Sequence, residues 1–153
     1  MNPGELTLYI HEQIPLSKAM GVSVVSIDQN AVTLRAPFEP NINHQRSVFG
    51  GSASAVAILA GWALLHVRLD AEGIADRLVI QRNLMEYQLP IFGQFTARST
   101  LQHPDRWERF TATLARKGKA RVTVSAVLEH TDQVVGRLTG QFVAFGAARR
   151  RDG

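Results

Sequence analysis

The 153 residues include no cysteine, which excludes a disulfide scaffold, a thiol nucleophile and any thiolate-held metal. A chain of this length buries enough apolar surface to hold one domain, residues 1–153, without such staples. No apolar run reaches the roughly 20 residues of a membrane helix. The longest, Ala53 to Val67, carries His66 inside it and reads as a buried core helix. The opening MNPGELTLYIHEQIP has no basic segment followed by an apolar one, so export gets no support and a cytoplasmic location is expected. Internal repeats and low-complexity linkers are also missing.

Charge of one sign is scarce too. Seventeen Lys and Arg against thirteen Asp and Glu leave a net charge of +4, part of it in a basic tail at 147–153 that contains Arg149, Arg150 and Arg151. Such an excess suits a solvated terminus or a mild attraction for a polyanionic small molecule. The segment KGKARVTV half-matches an RNA-recognition signature, but aromatics make up only 7% of the chain and none stands where bases would stack, so nucleic acid is not expected. GGSAS lacks the second glycine of a nucleophile elbow. The histidines at 11, 44, 66, 103 and 130 show no metal-ligand spacing, and no Walker loop or dinucleotide fingerprint is present.

What is present reads as an α+β chain. A short amphipathic helix is expected over about 4–14, ended by Pro15. Two β-branched runs follow in GVSVVSIDQNAVTLRAPFEP, split by Asp28-Gln29-Asn30, which is turn chemistry for a hairpin. Pro37 and Pro40 then leave a polar loop, NINHQRSVFGG, which opens a helix over about 51–68 that is apolar on nearly every side and must be enclosed. RLVIQRNLMEYQLP, GQFTARSTLQ, WERFTATLARKGKARVTVSAVLE and VVGRLTGQFVAF all read as strands. The third is expected to bend at Lys117-Gly118, and Phe110, Ala112 and Leu114 alternate with Arg109, Thr111 and Thr113 as on a sheet with one covered face. An antiparallel meander around one long helix is the simplest topology.

That architecture, with FGG at the helix start, resembles the hotdog fold of acyl-CoA thioesterases and dehydratases. PLSKAMGVSVVSID looks like the first strand, the loop and helix follow, and VIQRNLMEYQLPIFGQFTARSTL looks like the third and fourth strands. Most similar is the thioesterase domain that some bacteria carry after an N-terminal acetyltransferase (the YiiD C-terminal type), with N-H-x-G-T-x-F-G-G-S before a helix containing L-A-G-W. Asn43, His44, Phe49, Gly50, Gly51 and Ser52 match that pattern, as do Leu59, Ala60, Gly61 and Trp62, while Arg46 and Ser47 depart from it. Phenylacetyl-type thioesterases have a histidine where this chain has Phe49, and an acid where it has Ile58. The fold by itself fixes no reaction.

The resemblance implies hydrolysis of an acyl thioester by water, without metal or any cofactor beyond the CoA or phosphopantetheine of the substrate. A thioester carbonyl gains negative charge under attack and needs donors aimed at it in a dry pocket. Backbone amides at a helix start, reinforced by the macrodipole, supply them, and glycine permits close approach. Gly51 and Ser52 are the candidate polarising amides. Taken alone they also fit a structural start, with Ser52 or Ser54 as N-cap.

Asn43 is a candidate to orient water or substrate, or equally a turn residue. His44 is a candidate general base, or a solvated loop histidine. Phe49, Gly50, Ser54, Arg82 and Glu86 complete the candidate substrate contacts, the last two being also readable as exposed strand charges. Arg116, Lys117, Lys119 and Arg121 form a basic turn suited to phosphates or to hairpin solubility. Expected partners are an acyl-CoA or an acyl carrier protein, and a second copy of the chain, as a homodimer or dimer of dimers. A noncatalytic acyl-thioester binding module, supported by Ile58, and a hotdog dehydratase are the alternatives.

Overall fold

In the computed structural model, which describes residues 1–75 and 77–146, the chain starts with a capping box. Asn2 Oδ1 accepts from the Glu5 amide at 2.8 Å and Glu5 Oε2 from the Asn2 amide at 3.2 Å, launching α1 (Pro3–Gln13). Pro15 ends α1 but also begins α2 (Pro15–Ala19), because a first-turn proline has no amide to waste. PLSKA is therefore helical, and β1 is only Ser23–Ile27. The hairpin to β2 (Ala31–Ala36) turns as expected, with Asp28 Oδ1 accepting from the amides of Asn30 and Ala31 at 2.8 and 2.9 Å. The basic tail at 147–153 lies outside the described residues.

The central helix α3 spans Gly50–Ala71, longer at both ends than the expected 51–68. Its last turn continues through Asp70 and Ala71 and is stopped near Gly73 at φ 69°. At 22 residues it is long and apolar enough to cross a membrane by length and composition, yet 61% of its most apolar window is buried inside the fold. Leu64, Leu65 and Leu69 are fully enclosed, each worth about 2 kcal/mol.

The remaining strands are β3 (Arg77–Tyr87), β4 (Phe95–Leu101), β5 (Lys119–His130) and β6 (Gln133–Phe145). With β1 and β2 they make one six-stranded sheet in the order β1-β2-β4-β5-β6-β3. This is not the expected meander: β3 pairs with β6 rather than β4. Residues 88–94 between β3 and β4, with Pro90 and Gly93, are too long and too proline-bound for a tight hairpin, so the chain crosses from one edge to the interior. The sheet wraps α3. A Cβ on Gly61 would come 2.6 Å from Val124 Cγ2 of β5, so LAGW keeps its glycine to let helix and sheet meet, while Trp62 stacks with His66 and Tyr9 to bind α1.

A second correction concerns WERFTATLARK, expected to be a strand and found as α4 (Trp107–Lys117). Its buried residues are Trp107, Phe110 and Leu114, spaced three and four apart, and Ala112 is exposed; a strand would have buried Ala112 with Phe110 and Leu114. Glu108 in the first turn and Arg116 and Lys117 in the last complement the helix dipole, and Gly118 at φ 71° ends it.

Candidate functional site

The loop before α3 is built around Asn43. Its Oδ1 accepts from the amides of Gln45 and Ser47 at 2.9 and 3.1 Å, and its Nδ2 donates to Ser47 Oγ at 2.9 Å. The side chain is engaged in the turn, with one N–H left over. Asn41, buried, anchors the same loop by donating its side-chain Nδ2 to the carbonyls of Met20 and Pro37 at 2.9 and 2.8 Å, and its backbone carbonyl accepts the Phe49 amide at 2.7 Å. His44 is exposed on this turn, beside Asn43 but lining none of the clefts described below.

The start of α3 is uncapped. Phe49 stands at N-cap without a capping side chain, its carbonyl accepting the Ala53 amide at 3.1 Å, so neither Ser52 nor Ser54 caps the helix. Among the described residues the amides of Gly50, Gly51 and Ser52 have no hydrogen-bond acceptor. Two aromatic rings flank them. The Phe49 ring, 58% exposed, lies so close over Gly51 that a Cβ there would overlap it, and a Cβ on Gly50 would stand 3.4 Å from the Tyr87 ring. Tyr87 Oη donates to the Gly50 carbonyl at 3.1 Å.

Beside this start lies a cavity of about 230 Å³, walled by Val48, Ala53, Met85, Leu89, Ile91 and Val135 together with Gly50 and Tyr87. At roughly 30 Å³ per water-sized group it has room for a short acyl or aryl group. Among the described residues Tyr87 is the only titratable side chain that lines it. Among the described residues no three His, Asp or Glu side chains gather as a metal site.

The other candidates lie apart. Tyr87 and Met85 face the cavity, so Glu86 points to the opposite face, where it stands across from Arg137 of β6. Arg82 shares a cleft on that face with Gln81 and Arg121. Arg82 and Glu86 are therefore not gathered with Gly51 within one chain. Arg116 and Lys117 close α4 and Lys119 and Arg121 open β5, so the basic turn is a helix-to-strand junction at Gly118. Ile58 lines a separate apolar groove of about 530 Å³ with Ala55, Trp62, Leu78, Ile80 and Leu16.

Tyr87 is the residue that sequence reasoning passed over. Its signal was its place next to Glu86: on a strand, if one faces out the other faces in.

Residues 4–146 match the family described as "Putative thioesterase (yiiD_Cterm)". The chain belongs to that family. Among solved structures it is similar to a Chlorobaculum tepidum protein of unknown function, 27% identical over 95% of this chain and 98% of that one, with a TM-score of 0.87. It shares its fold with a Haemophilus influenzae thioesterase at 10% identity, 99% and 95% coverage and TM-score 0.80. A Pseudomonas aeruginosa thioesterase variant matches at 11% identity, 96% coverage of each chain and TM-score 0.77. The fold is the hotdog fold of thioesterases, a long helix enclosed by an antiparallel sheet.

Proposed function

We infer that the chain hydrolyses the thioester of an acyl-CoA or acyl carrier protein at the start of α3, in a cytoplasmic homo-oligomer. The observation that carries this reading is the set of three unaccepted amides at Gly50, Gly51 and Ser52, open beside an apolar cavity. The amides of Gly51 and Ser52 polarise the carbonyl and hold the oxyanion as it forms, helped by the helix dipole. Gly50 and Phe49 frame the sulfur side, and the short cavity takes the acyl group. Asn43 holds the loop in register and offers its remaining N–H, and water is the nucleophile. His44, on the loop before α3, or a side chain of a second copy accepts the proton of the attacking water and returns it to the thiolate that leaves as the oxyanion collapses.

The second copy is supported by the sheet edge. β3 presents eleven residues with β6 on one side only, and Val79 and Leu84 on it are 52% and 63% exposed. The apolar groove lined by Ile58, Trp62, Leu78 and Ile80 borders the same edge. Pairing of β3 with β3 of another copy would cover both and close the cleft around Tyr87. A noncatalytic binding module is the second reading, favoured because among the described residues no histidine or carboxylate lines the cavity.

Thiol release from a panel of acyl-CoAs and acyl carrier proteins, run with Asn43→Ala and His44→Ala, separates the two. Turnover that drops at both positions supports the thioesterase. Binding of acyl-CoA without turnover on any thioester would make the chain a binding module. Sedimentation of the unmodified chain and of the Val79→Lys/Leu84→Lys variant tests the edge. A dimer that dissociates in the variant supports pairing through β3, and an unchanged dimer places the interface elsewhere.

A further inference from the structure

On the sheet face turned away from α3 two clefts meet. Val124 and Phe142 reach toward Gly61 of α3, so their strand neighbours Thr123 and Gln141 point to the opposite side. One cleft, about 320 Å³, lies between α4 and β5 and includes Arg106 and Arg109. The other, about 340 Å³, is lined by Gln81, Arg82, Arg121 and Gln141. Arg121 and Gln141 line both, so the two clefts adjoin at these side chains.

The local backbone builds this groove. A β-bulge between Ile80 and Arg82 breaks the alternation of β3 and sets Gln81 and Arg82 side by side in it. Gln81 Oε1 accepts from Arg121 Nε at 3.0 Å, fixing the guanidinium plane, and among the described residues its two terminal nitrogens have no hydrogen-bond partner. Four arginines thus line the two adjoining clefts, Arg106, Arg109 and Arg121 the first and Arg82 and Arg121 the second. Among the described residues no carboxylate lines either, Asp105 and Glu108 included, and none of the four arginines is in an ion pair.

Planar guanidinium forks match phosphate oxygens two at a time, and four without counter-charges match several phosphate charges. The concave shape suits a small molecule better than the flat face of a protein. Trp107 and Phe110 are only 6% and 5% exposed, which leaves no platform for the stacked bases of a nucleic-acid strand.

We propose that this groove binds a polyphosphorylated small molecule of nucleotide size, at a site separate from the thioester cleft. Arg82 and Tyr87 lie five residues apart on β3, about 17 Å, and on opposite faces. The inference therefore stands whether or not the helix start is catalytic.

Calorimetric titration of the full chain with ATP and with inorganic pyrophosphate tests it. ATP is expected to bind, pyrophosphate more weakly, and both less well as salt rises. Arg109→Ala and Arg121→Ala should each weaken ATP about tenfold, with an unchanged melting temperature since both side chains are exposed. Arg121→Lys should also weaken it, because lysine keeps the charge but not the fork. Absence of ATP binding, or equal affinity in the three variants, would overturn the proposal. So would binding of a single-stranded oligonucleotide without binding of ATP, which would assign the face to nucleic acid.

Discussion

At its C-terminal end α3 is tied down from several directions. The amides of Glu72 and Ile74 return to the Leu69 carbonyl at 3.1 and 2.9 Å, Gly73 returns to Asp70 at 2.9 Å, and Trp107 Nε1 donates to Glu72 Oε2 at 2.7 Å. The Arg68 guanidinium sits 4.4 Å above the same indole. At the N-terminal end, among the described residues, three amides have no acceptor and no side chain caps them, and two consecutive residues lack a Cβ. A helix that needed both ends only for stability would carry Ser, Asp or Asn at N-cap, worth about 1 kcal/mol, instead of Phe49. Under the proposed function the bare end supplies donors to the reaction and the tied end holds the helix that presents them. Donors that neutral loops have not already satisfied are ready for charge that appears only in the transition state.

The largest break in this contrast comes from Ser52→Pro. Proline in the first helical turn deletes an amide that has no acceptor in the fold and keeps a compatible φ, so the melting temperature should move little. Turnover on the best thioester should fall by on the order of a hundredfold to a thousandfold. Loss of folding together with activity would leave the amide without a specific role. The opposite end responds in the opposite way: Glu72→Ala strands the indole N–H of Trp107 and should cost about 1.5–3 kcal/mol in urea unfolding. Turnover per folded molecule should then stay within about threefold, because nothing at Gly51 has moved. A Glu72→Ala enzyme that is stable but slow would contradict the division of labour between the two ends.

A smaller effect tests the loop that presents the bare end. Asn43→Asp keeps the oxygen that accepts from Gln45 and Ser47 but loses the donor, whereas Asn43→Ala loses both. The alanine variant should lose about 1 kcal/mol of loop stability and a corresponding factor in kcat/KM. The aspartate variant should retain most of the rate if Asn43 acts by holding the turn. A deficit in the aspartate variant as large as in alanine would assign the remaining N–H to the substrate.

How far these regions could be read in advance differs for physical reasons. The helix start was legible because Asn43, Gly50 and Gly51 are local signals whose turn and close-approach chemistry depends on few neighbours. The Asp28 hairpin and the enclosed helix were legible on the same ground. WERFTATLARK was not, since Phe110, Ala112 and Leu114 satisfy period two while Trp107, Phe110 and Leu114 satisfy period 3.6. Only the exposure of Ala112 and the left-handed Gly118 decide between them. Nor was the face of Arg82 and Glu86, which hangs on a bulge at Ile80 that no side-chain pattern announces. The partnership of β3 with β6 joins residues from 49 (Tyr87 and Gly136) to 68 (Arg77 and Phe145) positions apart and depends on packing rather than on local pattern.

Tyr87→Phe asks for the smallest change and isolates one bond at the bare end. The ring stays against Gly50 and keeps the cavity wall, so acyl size preference and KM should hold. Only the hydroxyl that donates to the Gly50 carbonyl at 3.1 Å is lost, in an exposed setting where such a bond is worth about 0.5–1 kcal/mol. That free energy corresponds to a fall of roughly two- to fivefold in kcat, if the bond merely steadies the first turn. A fall above about fiftyfold would exceed what positioning the Gly50 carbonyl can supply. It would mean that the hydroxyl leaves that carbonyl during turnover and holds the attacking water itself.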